Sequence, residues 1–158
     1  MRSIAGCLIL GIVVLGLGGC AGTPSYRGYK FKPYTVRGVT YYPLAPADAV
    51  GYVETGVASH YQIGSHLFPG KTAIGEKMTP SSLIAAHKTL PLPCVIRVTN
   101  LRNNRSVVLR VNDRGPFIEG RMLDVSSKAA KKLGFRDAGL TTVRIEVLSV
   151  GDGRYRLD

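Results

Sequence analysis

Apolar and polar positions follow three different rhythms along this chain. Behind Arg2, the run from Ile4 to Leu17 is apolar apart from small residues and ends in Leu17-Gly18-Gly19-Cys20. A positive start, a short apolar stretch and a small-residue end describe an export signal, whereas a membrane span needs about 20 apolar residues. No period survives between residues 21 and 50: Gly22, Thr23, Pro24, Ser25 and Gly28 interrupt it, and Pro33, Pro43 and Pro46 are expected to prevent any regular element. From Gly51 onward the period becomes two. Tyr52–Ala58, Val95–Leu101, Ser106–Val111 and Thr142–Leu148 are β-branched-rich or alternating runs that predict strands. Arg102-Asn103-Asn104-Arg105 joins the middle two as a hairpin turn. Two short helices are expected between strands, one over Ser81–Ala86 and one from Ser126 or Ser127 to Leu133, the second with a serine cap and Gly134 as its stop. Such a pattern suggests a mainly β fold, a small closed or half-closed barrel.

Composition turns this pattern into a domain plan: residues 1–19 as signal peptide, 20–50 as tether, 51–150 as one β domain and 151–158 as a tail. Leu17 to Cys20 resembles the bacterial lipobox, which makes Cys20 the lipid-bearing first residue of the mature protein. Ala21 in place of an aspartate favours the outer membrane. Acyl chains on Cys20 anchor a protein without a transmembrane helix. Cys7 leaves with the signal and Cys94 stands alone, so it reads as a small buried apolar residue. Tyr26, Tyr29, Tyr34, Tyr41, Tyr42 and Tyr52 make the tether too aromatic for a purely solvated linker, and Tyr34–Leu44 is expected to lie along the domain.

The formal charge of +11 is nearly untouched by removal of the signal, which takes away only Arg2. Export and the scatter of the cations argue against nucleic acid and for an anionic polymer or membrane surface of the envelope. Trp is absent, so sugar stacking falls to Tyr, Phe or His.

Candidate chemistry gathers in three stretches. Thr72-Ala73-Ile74-Gly75-Glu76 precedes a Thr/Pro/Ser turn, Ala85-Ala86-His87-Lys88-Thr89-Leu90-Pro91 puts a histidine at a predicted helix end, and Val111-Asn112-Asp113-Arg114-Gly115-Pro116-Phe117 leaves a strand for a rigid turn. Gly120-Arg121-Met122-Leu123-Asp124-Val125-Ser126 follows. A strand end is a rigid support for a displayed carboxylate, which singles out Asp113. Each residue also has a bland reading: Glu76 solvated, His87 packed with its ring nitrogens on backbone, Asp113 paired with Arg114 in a turn, Asp124 capping a helix. His60, His66 and His87 lack the spacing of a common zinc site, and no metal or cofactor is expected.

Those blocks, with Gly56-Val57-Ala58-Ser59 and Val98-Thr99-Asn100-Leu101, stand in the order found in the rare lipoprotein A family, which the chain resembles over roughly residues 51–150. The resemblance implies a six-stranded double-psi β-barrel and lytic transglycosylase activity on peptidoglycan glycan strands, often strands stripped of stem peptides. It carries the family's acidic and histidine cluster onto Glu76, His87 and Asp113. Asp124 matches the catalytic acid position of the related expansin and hydrolase barrels. Arg114, Lys88, Tyr61 and Asn112 are the expected substrate-binding residues. Departures stand at His60, Gln62 and Ile74 and along Ile63–Gly70, where the sugar cleft is expected. The C-terminal wall-binding repeat domain of many members is not expected, since the chain stops shortly after its last strand.

Such an enzyme needs one group to protonate the leaving oxygen and then take a proton from the muramyl 6-hydroxyl. Asp113 is expected in that role, in a setting that favours its protonated form, with Asp124 or Glu76 as the neighbouring carboxylate, His87 orienting it or bonding glycan, and Arg114 pointing away. The alternatives are a non-catalytic, expansin-like glycan binder, a water-using hydrolase and, more remotely, a scaffold that recruits division proteins; a monomer is expected.

Overall fold

The structure, a computed structural model, describes residues 30–61, 70–79 and 81–151. The apolar leader, Cys20 and the segment 62–69, where most cleft departures were placed, lie outside the described residues.

Residues 30–50 are not without regular structure. Strands β1 (Tyr34–Val36) and β2 (Val39–Tyr41) form an antiparallel hairpin, and Pro46 opens a one-turn helix α1 (Pro46–Ala49). Arg37 (φ 49°) and Gly38 (φ 80°) both adopt positive φ, as the two-residue turn between twisted strands demands. Pro33 and Pro43 bracket the hairpin, and Pro46 sits in the first turn of α1, where a missing N–H is harmless. The hairpin is docked. Tyr34 stacks on Tyr41 (5.3 Å), Tyr41 meets Phe117 (5.5 Å), and the Tyr34 hydroxyl donates to Lys88 O at 2.7 Å. Lys30 exchanges two backbone hydrogen bonds with Leu92, and Leu44 N donates to Thr89 O.

Six further strands follow: β3 (Val53–Tyr61), β4 (Ile84–His87), β5 (Cys94–Asn100), β6 (Ser106–Asp113), β7 (Arg121–Ser126) and β8 (Leu140–Val150). They close a barrel in the order β3-β7-β4-β6-β5-β8. The pairs β3·β7 and β4·β6 are parallel, and the other four are antiparallel. This is the double-psi barrel that the motifs implied. Alternation fills it: Ile96, Val98, Leu109, Val111, Leu123, Val125, Val143, Ile145 and Val147 are buried, as are Ala58 and Ala85.

The helix expected over Ser81–Ala86 does not form; Ile84–His87 is strand β4, wedged between β6 and β7 with all four residues buried. Alanine favours a helix when isolated, but here ladder bonds on both edges and full burial override that weak preference. Strand β7 was read only as the loop beyond Asp113. The second expected helix is present as α2 (Ser127–Leu133), with Ser126 Oγ accepting from Ala129 N and Gly134 (φ 75°) closing it. Its Ala129, Ala130 and Leu133 face the core, Leu133 alone contributing about 2 kcal/mol of burial.

Candidate active site

The barrel brings Ser59, Asp124, Ala86 and Asp113 into one row. Ser59 of β3 pairs with Asp124 of β7, Asp124 with Ala86 of β4, and Ala86 with Asp113 of β6. Their strand neighbours Ala58, Val125, Ala85 and Val111 line the core, so the row occupies the opposite face. For Asp113 this depends on a bulge. The register jumps from Ala85↔Val111 to Ala86↔Asp113, which takes Asn112 out of the ladder and turns Asp113 to the side of Ala86. Two strand spacings, roughly 10 Å, then separate the Asp113 and Asp124 backbones, with a methyl group as the floor between them.

Each carboxyl group is held by one oxygen. Asp113 Oδ1 accepts the backbone N–H groups of Ala73 and Arg114, both at 2.8 Å. Asp124 Oδ1 accepts from Ser59 Oγ, which in turn accepts from Arg121 Nη1 at 3.3 Å. Tyr61 completes the group. Its hydroxyl is buried without a hydrogen-bond partner among the described residues. Burial, and then the charges of Asp113 and Asp124, push its pKa upward, so both carboxylates are near it and the phenol keeps its proton.

Glu76 and His87 lie elsewhere than expected. Arg110 grips Glu76 with a fork, Nη2 at 2.6 Å and Nε at 3.1 and 3.2 Å, and Asn112 Nδ2 adds a bond at 2.8 Å. These bonds, Arg110 first, hold its carboxyl below the usual value, so Glu76 is an ionised brace and not the neighbour of Asp113. It supports the turn Thr72–Glu76 that delivers Ala73 N to Asp113. The ring of His87 turns away from the row. Nδ1 accepts from Thr89 N and Leu90 N (3.1 Å each), which assigns the ring proton to Nε2, 3.3 Å from Glu54 Oε2 in a poorly aligned contact. Contact with His87 is the main cause that holds the Glu54 carboxyl below its usual value. Glu54 and His87 line a separate cavity of about 310 Å³ with Lys88, Thr89, Gly120, Arg121 and Met122.

The expected substrate-binding residues divide in the same way. Tyr61 belongs to the row. Asn112 is buried on Glu76. Lys88 Nζ donates to Arg121 O at 2.6 Å and borders the Glu54 cavity. Arg114 does point its guanidinium away from Asp113, to the carbonyls of Lys30, His87, Lys88 and Leu90 and across the Tyr34 ring, so it fastens the N-terminal arm to the barrel. His60 Nε2 lies 2.9 Å from Arg136 O. Burial pushes the Cys94 thiol up to about 12, which makes it inert.

The sequence reading missed Glu54, Ser59 and Ala86 as parts of the site. Ser59 and Ala86 stood inside quoted motifs, but a serine and an alanine carry no chemistry until the register places them beside an aspartate. Glu54 looked like the solvated member of an alternating strand. Its inward register, with Gly56 and Ala58, was the available signal.

Comparisons with known proteins agree with this geometry. A family profile described as lytic transglycolase matches residues 53–145. Proteins named endolytic peptidoglycan transglycosylase RlpA are 51% identical over 126 residues in Rickettsia bellii and 47% over 131 in Campylobacter jejuni, covering 78% and 82% of this chain. A protein of the same name in Pseudomonas aeruginosa is 49% identical over 123 residues. The chain spans about half the length of the first two, 54% and 46%, and 35% of the third. An expansin from Clavibacter michiganensis shares the fold at 20% identity, with a TM-score of 0.50 over 65% of this chain and 53% of its own. The chain belongs to the lytic transglycolase family, as a double-psi β-barrel protein of the rare lipoprotein A type.

Proposed function

We propose that this protein is an endolytic peptidoglycan lytic transglycosylase, which cuts the β-1,4 bond between MurNAc and GlcNAc and leaves a 1,6-anhydroMurNAc end. The observation that carries the reading is the row of Asp113 and Asp124 around Ala86, with the protonated Tyr61 phenol beside both. Family membership and the names of the relatives point to the same chemistry.

Asp113 is the acid and then the base. Its Oδ1 is fixed by two N–H donors, which sets the direction of Oδ2 toward a glycan lying across the row. The proton on Oδ2 passes to the glycosidic oxygen, and the C1–O4 bond breaks. The muramyl 6-hydroxyl oxygen then bonds C1 as its proton returns to Asp113, so no water enters the products. Asp124, held by Ser59, faces the positive charge that develops at C1. Tyr61 donates to whichever carboxylate or sugar oxygen approaches it. Arg114, Glu76, Asn112 and Arg110 act behind this row by fixing the two backbone segments that hold Asp113.

The protein works in the cell envelope, lipidated on Cys20 and anchored to the periplasmic face of the outer membrane, with glycan strands as its partner. Digested sacculi and peptide-free glycan analysed by mass spectrometry test the reading. Wild type should release anhydro ends, and Asp113→Asn should lower their yield by at least about a thousandfold. Reducing ends would indicate a hydrolase, and bound protein with intact glycan a binder. Full activity in Asp113→Asn would move the acid to Asp124.

A further inference from the structure

Next to the aspartate row lies a second concavity, of about 340 Å³, lined by Lys30, Lys32, Pro33, Tyr34, Ala73 and Arg114. Ala73 and Arg114 are the residues whose N–H groups hold Asp113 Oδ1, so the concavity adjoins the proposed acid. Its other wall is the arm Lys30–Tyr34, ahead of the segment that the family profile matches. That arm is fixed in place. Lys30 pairs with Leu92 and donates through Nζ to Ala73 O, Arg114 donates to Lys30 O, and the Tyr34 hydroxyl donates to Lys88 O.

The lining holds three cationic side chains and no carboxylate. Lys30 and Arg114 are hydrogen-bonded to carbonyls, which occupy their N–H groups but leave the formal charges uncancelled. Lys32 is exposed and its ammonium has no partner among the described residues. A concave surface of one sign concentrates its field and draws the opposite charge. Along a glycan of N-acetylated hexosamines, that charge is found on the muramyl lactyl ether, which ends in a free carboxylate once its peptide has been removed.

We infer that this concavity is an accessory subsite for the lactyl carboxylate of a peptide-free muramyl sugar. The inference rests on the transglycosylase reading and deepens it. A stem peptide turns that carboxylate into a neutral, bulky amide, so the arm Lys30–Tyr34 makes the protein select stripped strands.

Two substrates test this with the full chain: peptide-free strands, and the same strands with their lactyl carboxylates converted to methylamides. Lys32→Glu should raise KM on native strands roughly tenfold at low salt with kcat retained, an effect that added salt erodes. On methylamide strands the variant and wild type should match, and wild type should itself show a raised KM. Equal handling of both strands by wild type would overturn the subsite, as would an equal loss on both in Lys32→Glu. If wild type releases no anhydro ends, the transglycosylase reading fails separately. Equilibrium binding of the two strands then still decides the subsite: a preference for native strands that Lys32→Glu removes supports it, and equal binding overturns it.

Discussion

Three carboxylates that look alike in the sequence receive different tasks from their partners. Asp113 keeps one oxygen on two backbone N–H groups, Asp124 keeps one on a serine, and Glu76 has both oxygens bonded by Arg110. The last arrangement makes a stability prediction with a definite sign. Glu76 is held below its ordinary value of 4.5, so its ion pair contributes stability above that pH and loses it as pH falls through the lowered value. The pair is partly exposed, and solvent screening limits it to about 0.5–1 kcal/mol. Urea unfolding should therefore show Glu76→Gln less stable than wild type at pH 7 by that amount. The gap should narrow steadily in acid below pH 4.5. A gap that persists unchanged in strong acid would mean that packing, not charge, is lost. His87 was legible as chemistry but not as geometry, because its partner Glu54 lies 33 positions away in sequence, on another strand.

At the scale of elements, β7 and α2 meet at one residue. Ser126 ends the strand, caps the helix through Ala129 N, and donates to Ser82 O, which ties down the segment before β4. Ser126→Ala removes the cap and leaves the buried Ser82 carbonyl short of a donor. Thermal or urea denaturation should register a loss of about 2 kcal/mol, and Ser126→Thr should recover part of it. The site feels the same change, since Asp124 lies two residues before the cap. The cap and the glycine stop were legible because they are local chemistry. Strands β4 and β7 were not, because their short segments show a β preference only once partners flank them on both edges.

The whole molecule is shorter in reach than its sequence suggests. Taken as a tether, the residues between Cys20 and the barrel reach about 100 Å fully extended. The arm is docked from Lys30 onward, which leaves about ten residues and roughly 35 Å. An anchor on Cys20 would then hold the barrel close to the membrane, with its basic surface and the arm's subsite brought to the nearest glycan. Cys20→Ser should move the protein from the membrane fraction to the soluble fraction and reduce anhydro ends in cells. The purified protein should keep its turnover on soluble strands. Undiminished activity in cells would show that the anchor plays no part in targeting.

By itself the sequence determined what depends on near neighbours and on residue chemistry. That covers the alternating strands β3, β5, β6 and β8, the Asn-containing turn, the capped helix, the motif blocks and the choice of Asp113. Tertiary structure alone decided which strands meet, and a closed barrel with two parallel pairs joins strands far apart in sequence. It also decided the facing of Asp113. A strand period of two would turn Asp113 inward with Val111; the bulge at Asn112 turns it outward beside Ala86 and across from Asp124. A bulge forms where the register on a neighbouring strand demands it, and that register is a property of the closed barrel and not of the residues on either side of Asn112.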